Sequence, residues 1–188
     1  MDKYSEMVMK MIIYEYSQEA PITKGIGANS EEIQNMRLET SKVSIKSPFS
    51  ILAFFQDKCI GIAKGRFDNP KANRIAAIGD EITKNFSYFI PNCKKLFVLH
   101  ILFVQPYFGG KGIATKLTEK SIQLARENEC DYIMSVPSNI KSAHIFTKSG
   151  FELAREIPFD AFKENGQPFL KDLGDGNKCT RLMFLKIS

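Results

Sequence analysis

Apolar residues recur at helical spacing near the start of the chain. Val8, Met11, Ile12 and Tyr16 lie three to four positions apart, which predicts a helix over residues 2–16. Pro21, Gly25 and Gly27 read as its break. Asn29-Ser30-Glu31-Glu32 has the form of a capped helix start and predicts a second helix to about Ser41, with Pro48 closing the region. Residues 50–56 and 59–66 are apolar runs on either side of Asp57-Lys58, the pattern of a hairpin. Pro70 suits the first turn of a third helix through Ile75, Ile78 and Ile82. Residues 96–104 form the longest continuous apolar run and predict a central strand buried on both faces.

A glycine cluster follows that strand, and residues 112–128 then return to helical spacing. The inner face expected for this helix is Ile113, Leu117, Ser121, Leu124 and Ala125. Residues 132–136 read as a strand and 140–149 as a short helix ended by Gly150. Residues 151–157 and 180–187 read as closing strands. The order is helices, a hairpin, then β-α-β-α-β-β. That order implies an α/β chain whose mixed sheet carries helices on both faces.

Length and composition narrow the class further. A chain of 188 residues suits one domain over residues 1–188, and 44% hydrophobic with 25% charged content is that of an ordinary globular protein. The net charge of +5 is spread along the chain rather than blocked, so no nucleic-acid partner is indicated. A basic nucleic-acid-binding α/β domain stays as a third reading without a motif of its own. A positive pocket for a phosphorylated ligand accounts for the excess equally well. Cys59, Cys93, Cys130 and Cys179 form no C-x-x-C pair, so free thiols and no metal site are expected. With no signal-peptide pattern and no 18-residue apolar run, the expected location is cytoplasmic, with no membrane partner.

The chemistry concentrates between the predicted central strand and the helix after it. Leu102, Phe103 and Val104 lead through Gln105-Pro106-Tyr107-Phe108 into Gly109, Gly110, Lys111, Gly112, Ile113 and Ala114. Exposed N–H groups in such a turn, with the positive end of the helix, suit a phosphate or pyrophosphate. Glycine lets the backbone approach the anion without an intervening Cβ. A Walker loop fails because Gly112 follows Lys111 where Ser or Thr is needed. The dinucleotide pattern fails as well: Thr115 occupies the third glycine position, and Asp131 precedes the next strand instead of ending it.

V-x-P-x-(aromatic)-x-G-x-G-I-A after a strand resembles the acetyl-CoA loop of the GNAT acetyltransferase superfamily. The family pattern (Q/R)-x-x-G-x-(G/A) is met by Gly112 and Ala114, while Gly109 replaces its Gln or Arg. Downstream, Asn139 and Ser142, then Phe146, then Gly150-Phe151, resemble a second family motif at the expected distance. The resemblance implies a central mixed, mostly antiparallel sheet with a splayed strand pair, and acetyl-CoA as co-substrate. It implies that Leu102, Phe103 and Val104 pair with pantetheine and that Gly109 to Ala114 hold the pyrophosphate, with Asn139 also at the cofactor. Lys111 is either a phosphate contact or a solvated loop cation.

Phe146 stands where many members carry a tyrosine that protonates the CoA thiolate, and a phenyl ring has no proton to give. The invertebrate arylalkylamine N-acetyltransferases resemble the chain here, since they use serines matched by Ser138 and Ser142. Residues 159–163 with Gly166 also look like that subfamily's tail. The resemblance covers the chain well from about Lys95 onward and poorly over its first 60 residues. An alkylamine is only about 0.1% neutral at pH 7, so a base or water chain must take a proton. Glu19, after the first helix and before a Pro-containing loop, matches the subfamily's catalytic glutamate. His100, two residues before Leu102, is the competing base, whereas His144 reads as helical surface. The amine pocket is expected from the first-helix loop, the second helix and the strand pair near Phe159. Polyamine or protein N-terminal acetylation is the alternative activity, and a non-catalytic acyl-CoA sensor the alternative class.

Overall fold

The computed structural model describes residues 3–46, 52–53, 67–170 and 173–187. Helix α1 (Lys3–Lys10) continues through a π-helical segment, Met11–Tyr16, into the short α2 (Ser17–Glu19), so the first helix outruns its expected end. The fully buried Ser17 hydroxyl donates to the Ile12 carbonyl at 3.0 Å, five residues back, the spacing of the π-helical turn. Pro21 does not break the chain into a loop. It opens α3 (Pro21–Ile26), where a missing N–H costs nothing, and Gly27 ends that helix at a left-handed φ of 68°.

Asn29 and Glu32 cap α4 (Ser30–Lys46) reciprocally: each side chain accepts the other's backbone N–H at 2.9 Å. The helix passes its expected end near Ser41. Strand β1 (Leu52–Ala53) is the part of the expected hairpin that is described; the rest of it, and Pro48, lie outside the described residues. Helix α5 (Pro70–Thr83) starts as expected, with the Asn69 side chain accepting the Lys71 N–H at 2.8 Å.

Strand β2 (Leu96–Leu99) pairs antiparallel with β1 and parallel with β3 (Tyr132–Ser135). Helices α6 (Ile113–Glu127) and α7 (Ile140–Lys148) follow β2 and β3. Strand β4 (Glu152–Pro158) and the last strand, β7 (Cys179–Lys186), pair antiparallel, giving the order β1-β2-β3-β7-β4. Between them β5 (Lys163–Glu164) and β6 (Gln167–Pro168) form a hairpin around Asn165-Gly166. Both turn residues have positive φ, as a two-residue hairpin loop of this kind requires.

Period-two alternation buries both sheet faces, which is the mixed α/β architecture expected. Phe97, Leu99, Ile133 and Met183 pack on one side with Ile122 of α6 and Phe146 of α7. Leu96, Val98, Met134 and Leu182 pack on the other with Ile82 of α5. The inner face of α6 differs from expectation. Thr118, Ser121, Ile122 and Ala125 are buried, while Leu117 is exposed. Thr118 and Ser121 can face inward because their hydroxyls donate to the Ala114 and Leu117 carbonyls at 2.9 and 2.8 Å. Cys93, Cys130 and Cys179 are free thiols. Among the described residues no helix is long and apolar enough to cross a membrane.

Candidate active site

The predicted strand over 96–104 stops at Leu99. Its parallel partner β3 ends at Ser135, whose hydroxyl donates to the Leu99 carbonyl at 2.9 Å. Pro137 then carries the chain toward α7 and, lacking an N–H, cannot extend the ladder. On the β3 side, therefore, Leu102, Phe103 and Val104 have no strand beside them. All three are half-buried, and Leu102 leans on the core under α6. At the opposite end, Asp131 ties the entry to β2 by accepting the Lys94 and Lys95 N–H groups, both at 2.7 Å. This accounts for Asp131 as a structural carboxylate.

The glycine loop is exposed along its length. Gly110 and Gly112 adopt φ of 74° and 73°, a region L-residues with a Cβ rarely occupy. Gly109 is constrained differently. A Cβ there would come within 3.0 Å of the Pro106 carbonyl oxygen, the same oxygen that accepts the Gly109 N–H at 2.9 Å. A side chain at 109 would therefore crowd this turn. The first intrahelical bond runs from Lys116 to Gly112 at 3.0 Å, and no side chain caps α6. The N–H groups of Ile113, Ala114 and Thr115 thus lack intrahelical acceptors. The Lys111 ammonium lies 5.5 and 5.3 Å from the Tyr107 and Phe108 ring centres, which keeps a cation beside the loop.

Across from residues 100–105 stand the end of the first helix and α4. The Tyr16 ring meets Phe103 edge-on at 5.7 Å, and Glu15 accepts a hydrogen bond from the Gln105 side chain. The Arg37 guanidinium lies 4.9 Å from the centre of the Tyr16 ring. His100 follows β2 directly. The residue is exposed, although protein crowds around its imidazole. Crowding first, and the Arg37 charge second, pull its pKa below the ordinary histidine value.

Of the other expected catalytic groups, Glu19 lies one turn beyond Glu15 and Tyr16, both of which touch residues 103–105. Its carboxylate is exposed and paired with Lys24 at 3.0 Å. Ser142 is buried. Its N–H donates to the Asn139 side-chain oxygen at 2.8 Å and its hydroxyl to the Asn139 carbonyl at 3.0 Å, so Asn139 is the cap of α7. Ser138, half-buried just before, has no such internal partner among the described residues. Phe146 is 1% exposed and packs on Phe151 with ring centres 5.0 Å apart, while His144 faces solvent.

Tyr16, Arg37 and Gln105 are site-lining residues that the sequence pattern left unmarked. For Arg37 a signal existed. It sits on the stripe formed by Ile33, Met36 and Ser41, where an apolar residue is the norm.

A family model described as the acetyltransferase (GNAT) family matches residues 11–151. The chain belongs to that family and is therefore an acyltransferase. In structure it is similar to arylalkylamine N-acetyltransferase 2 of Aedes aegypti, at 19% identity and TM-score 0.81, over 99% of this chain and 95% of that one. It is also similar to a mosquito arylalkylamine N-acetyltransferase-like protein, 5b, at 14% identity and TM-score 0.74, over 97% and 94% of the two chains. The Drosophila melanogaster polyamine N-acetyltransferase, which forms N-acetylagmatine, matches at 16% identity and TM-score 0.71, over 97% and 94%. At these identities the likeness establishes the shared fold.

Proposed function

We propose that the chain transfers an acetyl group from acetyl-CoA to the amine of a small arylalkylamine, with both substrates bound together. The observation that carries this reading is the exposed turn from Gly109 to Gly112 leading into α6, whose first N–H groups are uncommitted. It lies directly after a segment that has lost its strand partner on one side. Acetyl-CoA fits these residues. Gly110 and Gly112 leave the backbone bare, and the amides of Ile113, Ala114 and Thr115 suit a diphosphate. Leu102, Phe103 and Val104 would lie along the pantetheine chain.

Bound there, acetyl-CoA supplies a thioester carbonyl open to an amine. The chain's own groups then have three tasks. Main-chain N–H groups near residues 102–104 polarise that carbonyl. Glu19 takes the amine's proton, directly or through water. His100 is the alternative acceptor; it is neutral at pH 7, but its lowered pKa makes it the weaker base. Ser138 supports departure of the thiolate better than Ser142, whose hydroxyl is already committed to the α7 cap.

The aromatic pair of Tyr16 and Phe103 beside this route favours an arylalkyl acceptor over a purely aliphatic one. A thiol-release assay with acetyl-CoA tests the reading against phenethylamine, tryptamine and putrescine. Turnover of the two aromatic amines at higher kcat/KM than putrescine is expected. Acetyl-CoA binding without thiol release on any amine would reduce the chain to an acyl-CoA sensor.

A further inference from the structure

Arg37 is 8% exposed on α4, yet no carboxylate among the described residues pairs with its charge. Its Nε is sealed from solvent without a hydrogen-bond acceptor. One turn further along the same face, the completely buried Ser41 hydroxyl is likewise unpartnered. Buried charges are ordinarily paired, and buried donors ordinarily find acceptors, so two orphans one turn apart call for an explanation. The guanidinium lies over the face of Tyr16, which in turn abuts Phe103 on the segment assigned to pantetheine. An ion pair with this group would therefore form beside the route by which an acceptor amine reaches the thioester.

We infer that Arg37 is the anion-binding subsite of the acceptor recess, and that the preferred acceptor is an arylalkylamine bearing a carboxylate. The inference rests on the proposed acetyl transfer for the word acceptor, though not for the anion subsite itself. A guanidinium presents a planar fork of donors that matches a carboxylate in two parallel hydrogen bonds. The adjoining rings suit the aryl group. The same fixed positive charge repels a second ammonium, so dicationic polyamines are disfavoured.

Calorimetry with 3-phenylpropanoate, alongside thiol-release kinetics on the pair phenylalanine and phenethylamine, tests this. Wild type should bind 3-phenylpropanoate and acetylate phenylalanine at higher kcat/KM than phenethylamine. Arg37→Gln should weaken 3-phenylpropanoate binding about 10- to 100-fold and lower the ratio of kcat/KM for phenylalanine to that for phenethylamine by a similar factor, while acetyl-CoA still binds. Arg37→Lys, which keeps the charge but loses the fork, should fall between them and serves if the glutamine variant does not fold. Absence of 3-phenylpropanoate binding in wild type overturns the inference. So does equal binding after Arg37→Gln, or a loss confined to acetyl-CoA. If no amine is acetylated yet 3-phenylpropanoate binding still depends on Arg37, the proposed transfer fails and the anion subsite stands.

Discussion

The glycine loop and the helical wall across from residues 100–105 offer different parts of the chain to the ligands proposed for them. From Gly109 to Ala114 the groups on offer are main-chain amides, and Gly110 and Gly112 leave the backbone bare at positive φ. On the wall, Tyr16, Glu19 and Arg37 project from α-helical and π-helical backbone whose own hydrogen bonds are already used. A backbone site depends on a few conformations, whereas a side-chain site depends on which residues several helices bring together. One can hold a common cofactor in many proteins; the other is free to vary with the acceptor.

That division can be broken from the wall side first. Glu19→Ala should lower kcat by about 100-fold or more while leaving acetyl-CoA affinity nearly unchanged, read by steady-state kinetics and calorimetry. Unchanged turnover across the pH range would move the proton acceptor to His100. From the loop side, Gly112→Val puts a β-branched side chain at φ 73°. The left-handed cost of about 1–2 kcal/mol makes a fall of about tenfold in acetyl-CoA affinity the expected result, with KM for the amine little changed.

Smaller effects sharpen the same contrast. Asn139→Ala removes the acceptor for the Ser142 N–H and should cost about 1 kcal/mol in urea unfolding. His100 offers a pH test. Its folded pKa lies below its unfolded value near 6.5, so acid favours the unfolded chain. Stability is fully kept above 6.5 and declines as the pH falls below it. His100→Asn should lose less Tm than wild type over that window, whereas parallel curves would mean that the imidazole is not hindered from charging.

The same contrast explains how much the sequence disclosed. Glycines at 110 and 112 mark positive φ by their chemistry alone, so the loop and α6 are legible in the residues themselves. Asn29 and Glu32, and the period of α5, are equally local signals. Local signals fail where a distant partner decides. Residues 96–104 are uniformly apolar, yet β2 ends at Leu99 because β3 ends opposite it at Ser135. Pro21 suits either a break or a first helical turn, and the backbone beyond it coils into α3. Leu117, expected inside, is exposed, and Thr118 is buried beside it with its hydroxyl donating to the carbonyl four residues back. Arg37 becomes interpretable only with Tyr16 and Phe103 beside it. The hairpin at Asn165-Gly166, in contrast, carries a two-residue signature that apolar periodicity does not register.

On the proposed reading, main-chain amides at the start of α6 grip the diphosphate of a CoA thioester. Following backbone amide NMR shifts while acetyl-CoA is titrated, and separately while inorganic pyrophosphate is titrated, addresses it directly. Both ligands should move the signals of Gly110, Gly112, Ile113 and Ala114, and only acetyl-CoA should also move those of Leu102, Phe103 and Val104. Saturable binding of acetyl-CoA that leaves the four loop amides unshifted would contradict the claim.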